Sequence, residues 1–201
     1  MADVNQTAAR SPLQDKTGPL GGPADAGVTM SEHAHLGKLI LRGEPSDKAF
    51  TAGAAKALGT ALPTTPNTTV AAGSIVIVWT APNEWLVVTP AGDEAAIEAS
   101  LSGALSGVHH AITDVSDQST IVRISGRNAR DVFAKGCSLD LHPRAFKSGQ
   151  SAQTHLSKAV ITFWQTDDGP TFDIMVRASF APYLWAWMAD AAGEFGLKIG
   201  D

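Results

Sequence analysis

The chain has 201 residues, 44% of them apolar, enough for one substantial core or two small ones fused. Its 15 Lys and Arg stand against 20 Asp and Glu, a net charge of −5. With no basic block of five or more residues, this argues against a nucleic-acid footprint. No apolar run reaches the ~18 residues that span a bilayer, so no membrane contact is expected. One cysteine, Cys137, rules out an internal disulfide and fits a reducing compartment. The first residues lack a basic patch followed by an apolar stretch, so the expected location is the cytoplasm.

Residues 1–32 are rich in Gly, Pro, Ala, Asp and Thr and carry no periodicity. They read as a flexible arm whose few apolar residues, Leu13, Leu20, Val28 and Met30, could dock on a partner. From His35 the texture changes. Leu36 to Leu41 is a strand. Ser46 caps a helix carrying Phe50, Ala54, Ala57 and Leu58, and Gly59 stops it. Pro63 and Pro66 make 62–67 a loop. Ile75 to Trp79 is an apolar strand expected to be buried on both faces, and residues 81–84 are a turn. Trp85 to Thr89 is the returning strand, and a helix runs through Ala96, Ile97, Leu101 and Leu105.

The same order then recurs. His110 to Val115 and Ile121 to Ser125 are strands. Residues 128–135 form a helix with Asn128 as N-cap and Gly136 as its close. A loop around His142-Pro143 follows, then a short strand at 154–156, a strand from Ala159 to Trp164 and a turn at 165–169. A strand from Phe172 to Arg177 and a final helix from about Ser179 to Ala191 end the chain. Gly126 answers Gly43 at a distance of 83 residues, and Trp164 answers Trp79 at 85. We therefore expect an α+β fold of two duplicated βαββα-like, ferredoxin-like halves. They would form an antiparallel sheet assembly with helices outside. The expected division is an arm over 1–32 and one domain over 33–201, made of pseudo-repeats 33–107 and 108–201.

Candidate chemistry is thin. The histidines are His33, His35, His109, His110, His142 and His155. Their spacing does not converge as a zinc site requires, and surface or loop positions are expected. Cys137 follows a helix C-terminus, where the macrodipole disfavours a thiolate, so a small packing residue is the expectation. Asp114, Asp117 and Asp140 flank turns, with Ser116 and Ser119 nearby. A buried carboxylate there could act as acid or base, and more often it bonds adjacent backbone amides. Gly43 and Gly126 each join a strand to a helix, yet no dinucleotide or phosphate-loop pattern surrounds them. No nucleophile elbow is present. On the last helix Trp185 and Trp187 point to different sides. Phe180, Tyr183 and Trp185 are expected near an outward aromatic face suited to a protein contact.

Several short segments, in order and spacing, resemble the folate-binding fold of the glycine-cleavage aminomethyltransferases. Within that group they resemble the gamma subunits of heterotetrameric sarcosine oxidase. They are Leu41-Arg42-Gly43, Asn83-Glu84-Trp85-Leu86, Asp114-Val115-Ser116, Gly126 with Ala129-Arg130, residues 135–141, Phe146, and Arg177-Ala178-Ser179-Phe180 with Tyr183-Leu184-Trp185. The resemblance covers residues 36 to about 197. It implies a place in an enzyme that oxidises the N-methyl group of sarcosine to give glycine and hydrogen peroxide, with the one-carbon unit leaving as methylenetetrahydrofolate. It further implies alpha, beta and delta partner subunits that carry the FAD, FMN, NAD, zinc and tetrahydrofolate sites. This chain is then an architectural subunit with no cofactor of its own. The aminomethyltransferases have His where Asp117 stands and Pro where Arg127 stands, so their pterin-binding role is not carried over. No catalytic, cofactor-binding or metal residue is assigned. The alternative is a stand-alone folate-binding, aminomethyltransferase-like protein, with Asp114 or Asp140 the first carboxylates to test.

Overall fold

A computed structural model describes residues 9–200; the first eight residues of the expected arm lie outside it. In chain order the elements are β1 (Val28–His33), β2 (Gly37–Gly43), α1 (Lys48–Leu58), β3 (Thr69–Ala72), β4 (Ile75–Ala81), β5 (Glu84–Thr89), α2 (Glu94–Ala104) and β6 (His110–Asp114). A single 3-10 turn at 116–118 then leads to β7 (Ser119–Ser125), α3 (Ala129–Ala134), β8 (Ser151–Leu156), β9 (Ala159–Asp167), β10 (Thr171–Arg177), α4 (Ala181–Ala192) and β11 (Leu197–Ile199).

The strands form a six-stranded sheet, β11-β1-β7-β10-β9-β8, and a five-stranded sheet, β3-β4-β5-β2-β6. The β1–β11 pair is parallel; the other pairs within the sheets are antiparallel. The run β2-α1-β3-β4-β5-α2 and the run β7-α3-β8-β9-β10-α4 lay their strands down in the same lateral order. The strand that leads into each run is exchanged. β1 precedes β2 yet pairs with β7, and β6 precedes β7 yet pairs with β2. This exchange ties the two sheets together through the chain itself.

Alternation along the strands sorts the core into layers. Leu39, Leu41, Ile77, Trp85 and Val87 meet Phe50, Ala54, Leu58, Leu101 and Leu105 of α1, α2 and the α2 end. The intervening residues Val78, Leu86 and Val88 meet Ile121 and Trp164 of the other sheet. On that sheet's far face Val122, Ile124, Phe163, Phe172 and Ile174 pack on Val132, Phe133, Leu184 and Met188 of α3 and α4. The order is helices, sheet, sheet, helices, the α+β arrangement with outer helices that the sequence implies. Each fully buried Leu or Phe contributes roughly 1.5–3 kcal/mol. The sheets are also stitched at one edge. Thr69 N donates to Gly149 O at 2.8 Å and Ser151 N to Asn67 O at 2.9 Å. Gln153 Nε2 donates to Thr80 O at 2.8 Å.

Several local expectations are corrected. Residues 28–32, read as part of an arm, belong to β1, and Leu13 is fully buried in the six-stranded sheet's core. Their hydrogen-bond partners, on β7 and β11, are almost 100 residues or more away in sequence, so no local pattern announces them. Leu20, by contrast, is exposed. The α1 cap is Asp47, whose Oδ1 accepts from Ala49 N and Phe50 N; Ser46 instead bonds Glu44. Asn128 is the α3 N-cap as expected, though its side chain bonds Asp131 rather than a backbone amide, and the C-cap is Lys135 rather than Gly136. β4 is buried on both faces at Ile77 and Val78 and half-buried toward its ends. β3 and β11 lie where no strand is expected, and β9 runs on to Asp167. On α4 Trp185 is buried, while Trp187 is half-buried and Phe180 and Tyr183 are exposed.

Candidate functional site

The face of the six-stranded sheet that looks toward the other sheet carries a polar row. Registers place Ser31 beside Arg123, Arg123 beside Asp173, Asp173 beside Trp164, and Trp164 beside Ser151. Strand alternation puts all five on one side, because their neighbours Val122, Ile124, Phe172 and Ile174 face the helices. Arg123 grips Asp173 with two parallel bonds, Nε to Oδ1 at 2.7 Å and Nη2 to Oδ2 at 2.8 Å. The Asp173 side chain is 7% exposed and that of Arg123 37%. Hydrogen bonding to Asp173 holds the guanidinium proton above the ordinary arginine range against the opposing effect of burial. His33 lies near this pair. Burial first, then the Arg123 charge, lowers its pKa, with Asp173 opposing. Further along, Trp164 Nε1 and Ser151 Oγ are buried without a hydrogen-bond partner among the described residues.

Sequence reasoning named His33 and Trp164 but missed Arg123, Asp173 and Ser151. The signal was available. Arg123 sits between Val122 and Ile124, and Asp173 between Phe172 and Ile174. A charge inside such an apolar run is costly to bury alone and points to a paired charge nearby.

The turn carboxylates take the backbone-bonding role. Asp114 Oδ1 accepts from Ser116 N at 2.8 Å and Asp140 Oδ1 from His142 N at 2.9 Å. That amide bond lowers the Asp140 pKa. Ser116 Oγ in turn accepts from Lys38 N at 2.9 Å, fastening the 3-10 turn to β2. Asp117, His35 and Ser119 line a cavity of about 260 Å³ with Lys38.

Cys137, Asp140 and His142 share an open groove of about 480 Å³ with Arg130 and Leu139. Their bonds turn inward to the loop rather than toward one another. His142 Nδ1 accepts from Arg144 N at 3.2 Å. Arg130 secures the loop by donating to Leu141 O, to Phe146 O at 3.3 Å and to Gln165 Oε1 at 2.9 Å. Its guanidinium also lies 5.3 Å from the centroid of the Phe172 ring.

His109 and His110 lie at a shallow edge near Arg42, with His110 Nδ1 on Val108 O at 2.8 Å, and His155 is exposed on β8. Among the described residues no three His, Cys, Asp or Glu side chains come together to hold a metal. No described helix is long and apolar enough to cross a membrane.

Known proteins give this architecture a context. A solved chain of the heterotetrameric sarcosine oxidase from Corynebacterium sp. U-96 superposes with a TM-score of 0.85 at 28% identity, covering 94% of this chain and 97% of that one. The aminomethyltransferase T of the Bartonella henselae glycine cleavage system shares the fold. Its TM-score is 0.71 at 13% identity, over 96% of this chain and 59% of that one. The sarcosine oxidase subunit gamma of Corynebacterium sp. (strain P-1) is 33% identical over 92% of this chain and 91% of its own length. That of an Arthrobacter species is 31% identical over 92% and 91%. Residues 42–194 match the profile of the Sarcosine oxidase, gamma subunit family. The chain belongs to the sarcosine oxidase gamma subunit family.

Proposed function

We propose that this chain acts inside its oxidase as an architectural subunit that holds the assembly together and performs none of the chemistry itself. The enzyme so built would oxidise sarcosine with O2 to glycine and hydrogen peroxide, and with tetrahydrofolate would yield methylenetetrahydrofolate. Alpha, beta and delta subunits would be the partners. FAD, FMN, NAD, zinc and tetrahydrofolate would sit in them, and the whole would work in the cytoplasm. Residues 33–107 and 108–201 are read as two pseudo-repeats, supported by the matching strand order of the two runs, and the domain they form takes in Leu13 and β1 as well.

One observation carries the non-catalytic reading. The buried carboxylate between the sheets, Asp173, has both oxygens committed to Arg123. A pterin seated on that face would find the Asp173 carboxylate already taken up by Arg123. Val78, Leu86, Val88, Ile121 and Trp164 pack together in the middle of the space between the sheets.

The competing reading is a folate-binding, aminomethyltransferase-like protein, favoured by the shared fold alone. Titrating the purified chain with tetrahydrofolate separates the two. The architectural reading expects no saturable binding, and tight binding would overturn it. Capture of large flavoprotein partners from the native host supports the subunit role; failure to capture them removes it.

A further inference from the structure

A second polar site lies where β2 and β7 face each other, away from the Arg123–Asp173 pair, and it goes beyond the architectural role. Lys38 stands at the start of β2 with the whole residue 1% exposed. Its ammonium donates to Leu36 O at 2.5 Å. An ammonium carries three donors, so two remain without a partner among the described residues. Ser119, at the start of β7, is 9% exposed, and its hydroxyl is sealed from solvent with no partner among the described residues. Both residues line the cavity of about 260 Å³. A buried ammonium with spare protons beside an orphaned hydroxyl is an arrangement made to meet acceptor oxygens.

The same cavity has acidic lining. Asp117 and Glu94 face it, and Asp117 makes no side-chain hydrogen bond among the described residues. Glu94 Oε2 is steadied by Gly92 N at 3.0 Å. Burial draws the Lys38 pKa down, and Asp114, Asp117, Glu94 and Glu32 oppose that shift. A lone anion would meet the Asp117 and Glu94 carboxylates, and a lone cation would meet the Lys38 ammonium. A molecule carrying both charges a few ångströms apart satisfies both sets.

We propose that this cavity binds a small zwitterionic amino acid, its carboxylate on Lys38 and Ser119 and its ammonium on Asp117 and Glu94. The volume admits a molecule of glycine size with room for a short side chain. Arg10, tied to Asp15 at 2.6 Å, is also among the lining residues.

The test is an amide-resolved magnetic resonance titration of the full 201-residue chain with glycine, acetate and methylammonium separately. Glycine is expected to give saturable shifts centred on Lys38, Asp117 and Ser119. Acetate and methylammonium, each lacking one charge, should bind about tenfold more weakly or less tightly still. Lys38→Met should abolish the response. Ser119→Ala and Asp117→Asn leave the buried ammonium in place and should each weaken glycine by about fivefold or more. Acetate binding as well as glycine, shifts centred elsewhere, or wild-type affinity in both Ser119→Ala and Asp117→Asn would overturn the proposal.

Discussion

Arg123 and Asp173 face each other across β7 and β10, joined by two parallel bonds of 2.7 and 2.8 Å between a half-open guanidinium and a nearly sealed carboxylate. Removing the arginine strands a buried negative charge, which costs more than the pair contributes. Arg123→Ala is expected to destabilise the chain by about 2–3 kcal/mol, below the fully buried limit because solvent reaches part of the guanidinium. Arg123→Ala combined with Asp173→Ala should recover a good part of that loss. Denaturant unfolding of the single and double variants checks this. Equal destabilisation by both would mean that the stranded charge is not the cause.

His33 gives the same region a pH dependence. Its folded pKa is lowered, by burial first and by Arg123 second. The unfolded chain therefore takes up a proton at His33 before the folded one does. The stability it contributes is present above the unfolded value of about 6.5. It is lost as pH falls from there toward the lower folded value. His33→Gln should flatten the stability profile in that acid window and leave it unchanged above neutrality. Thermal melts of both proteins across that range decide it; parallel profiles would refute the assignment.

Gly43 and Gly126 occupy matching positions for different reasons. A Cβ on Gly43 would stand 2.1 Å from the Phe50 ring, a clash with one side chain. A Cβ on Gly126 would stand 2.5 Å from Gly27 O, and its φ of +107° is itself unfavourable for other residues. Both alanine variants should lose about 1–3 kcal/mol. Phe50→Leu should partly rescue Gly43→Ala, since it removes the obstructing ring. No single side-chain change should rescue Gly126→Ala. Rescue of neither, measured by unfolding midpoints, would show that the Phe50 contact is not what fixes Gly43.

Arg130 spans three acceptors and an aromatic face, a geometry that a lysine cannot copy. Arg130→Lys should raise hydrogen exchange in residues 138–147 while leaving β7 and β10 protected. Unchanged exchange in that loop would mean that other contacts hold it.

Much of the architecture was legible because it is local. Apolar runs bounded by turn residues identified β2, β5 and β10, and Asp114 and Asp140 bond the nearby amides as turn carboxylates do. The recurrence of Gly43 at Gly126 exposed the repeated order, whereas Trp79 packs toward the helices and Trp164 toward the other sheet, so those two do not correspond. What escaped depends on distant chain. β1 and β11 pair with each other and lie at opposite ends of the sequence, and a Gly- and Pro-rich neighbourhood hides them. The exchange of β1 and β6 leaves no mark in periodicity, because either sheet would accept the same alternation. The cap at Asp47 was misplaced by one residue because Ser46 and Asp47 are both good cap residues and Glu44 claims the serine. The site between the sheets was half visible, since charges within apolar strands show that pairing is needed without saying which residues pair.

The most direct measurement is sarcosine-dependent hydrogen peroxide formation by three preparations: this chain with added flavin, its partner subunits without it, and the reconstituted whole. The architectural account predicts no turnover from the chain alone, impaired assembly and activity in the partners alone, and recovery on recombination. Turnover by the isolated chain, or full and stable activity without it, would contradict the account.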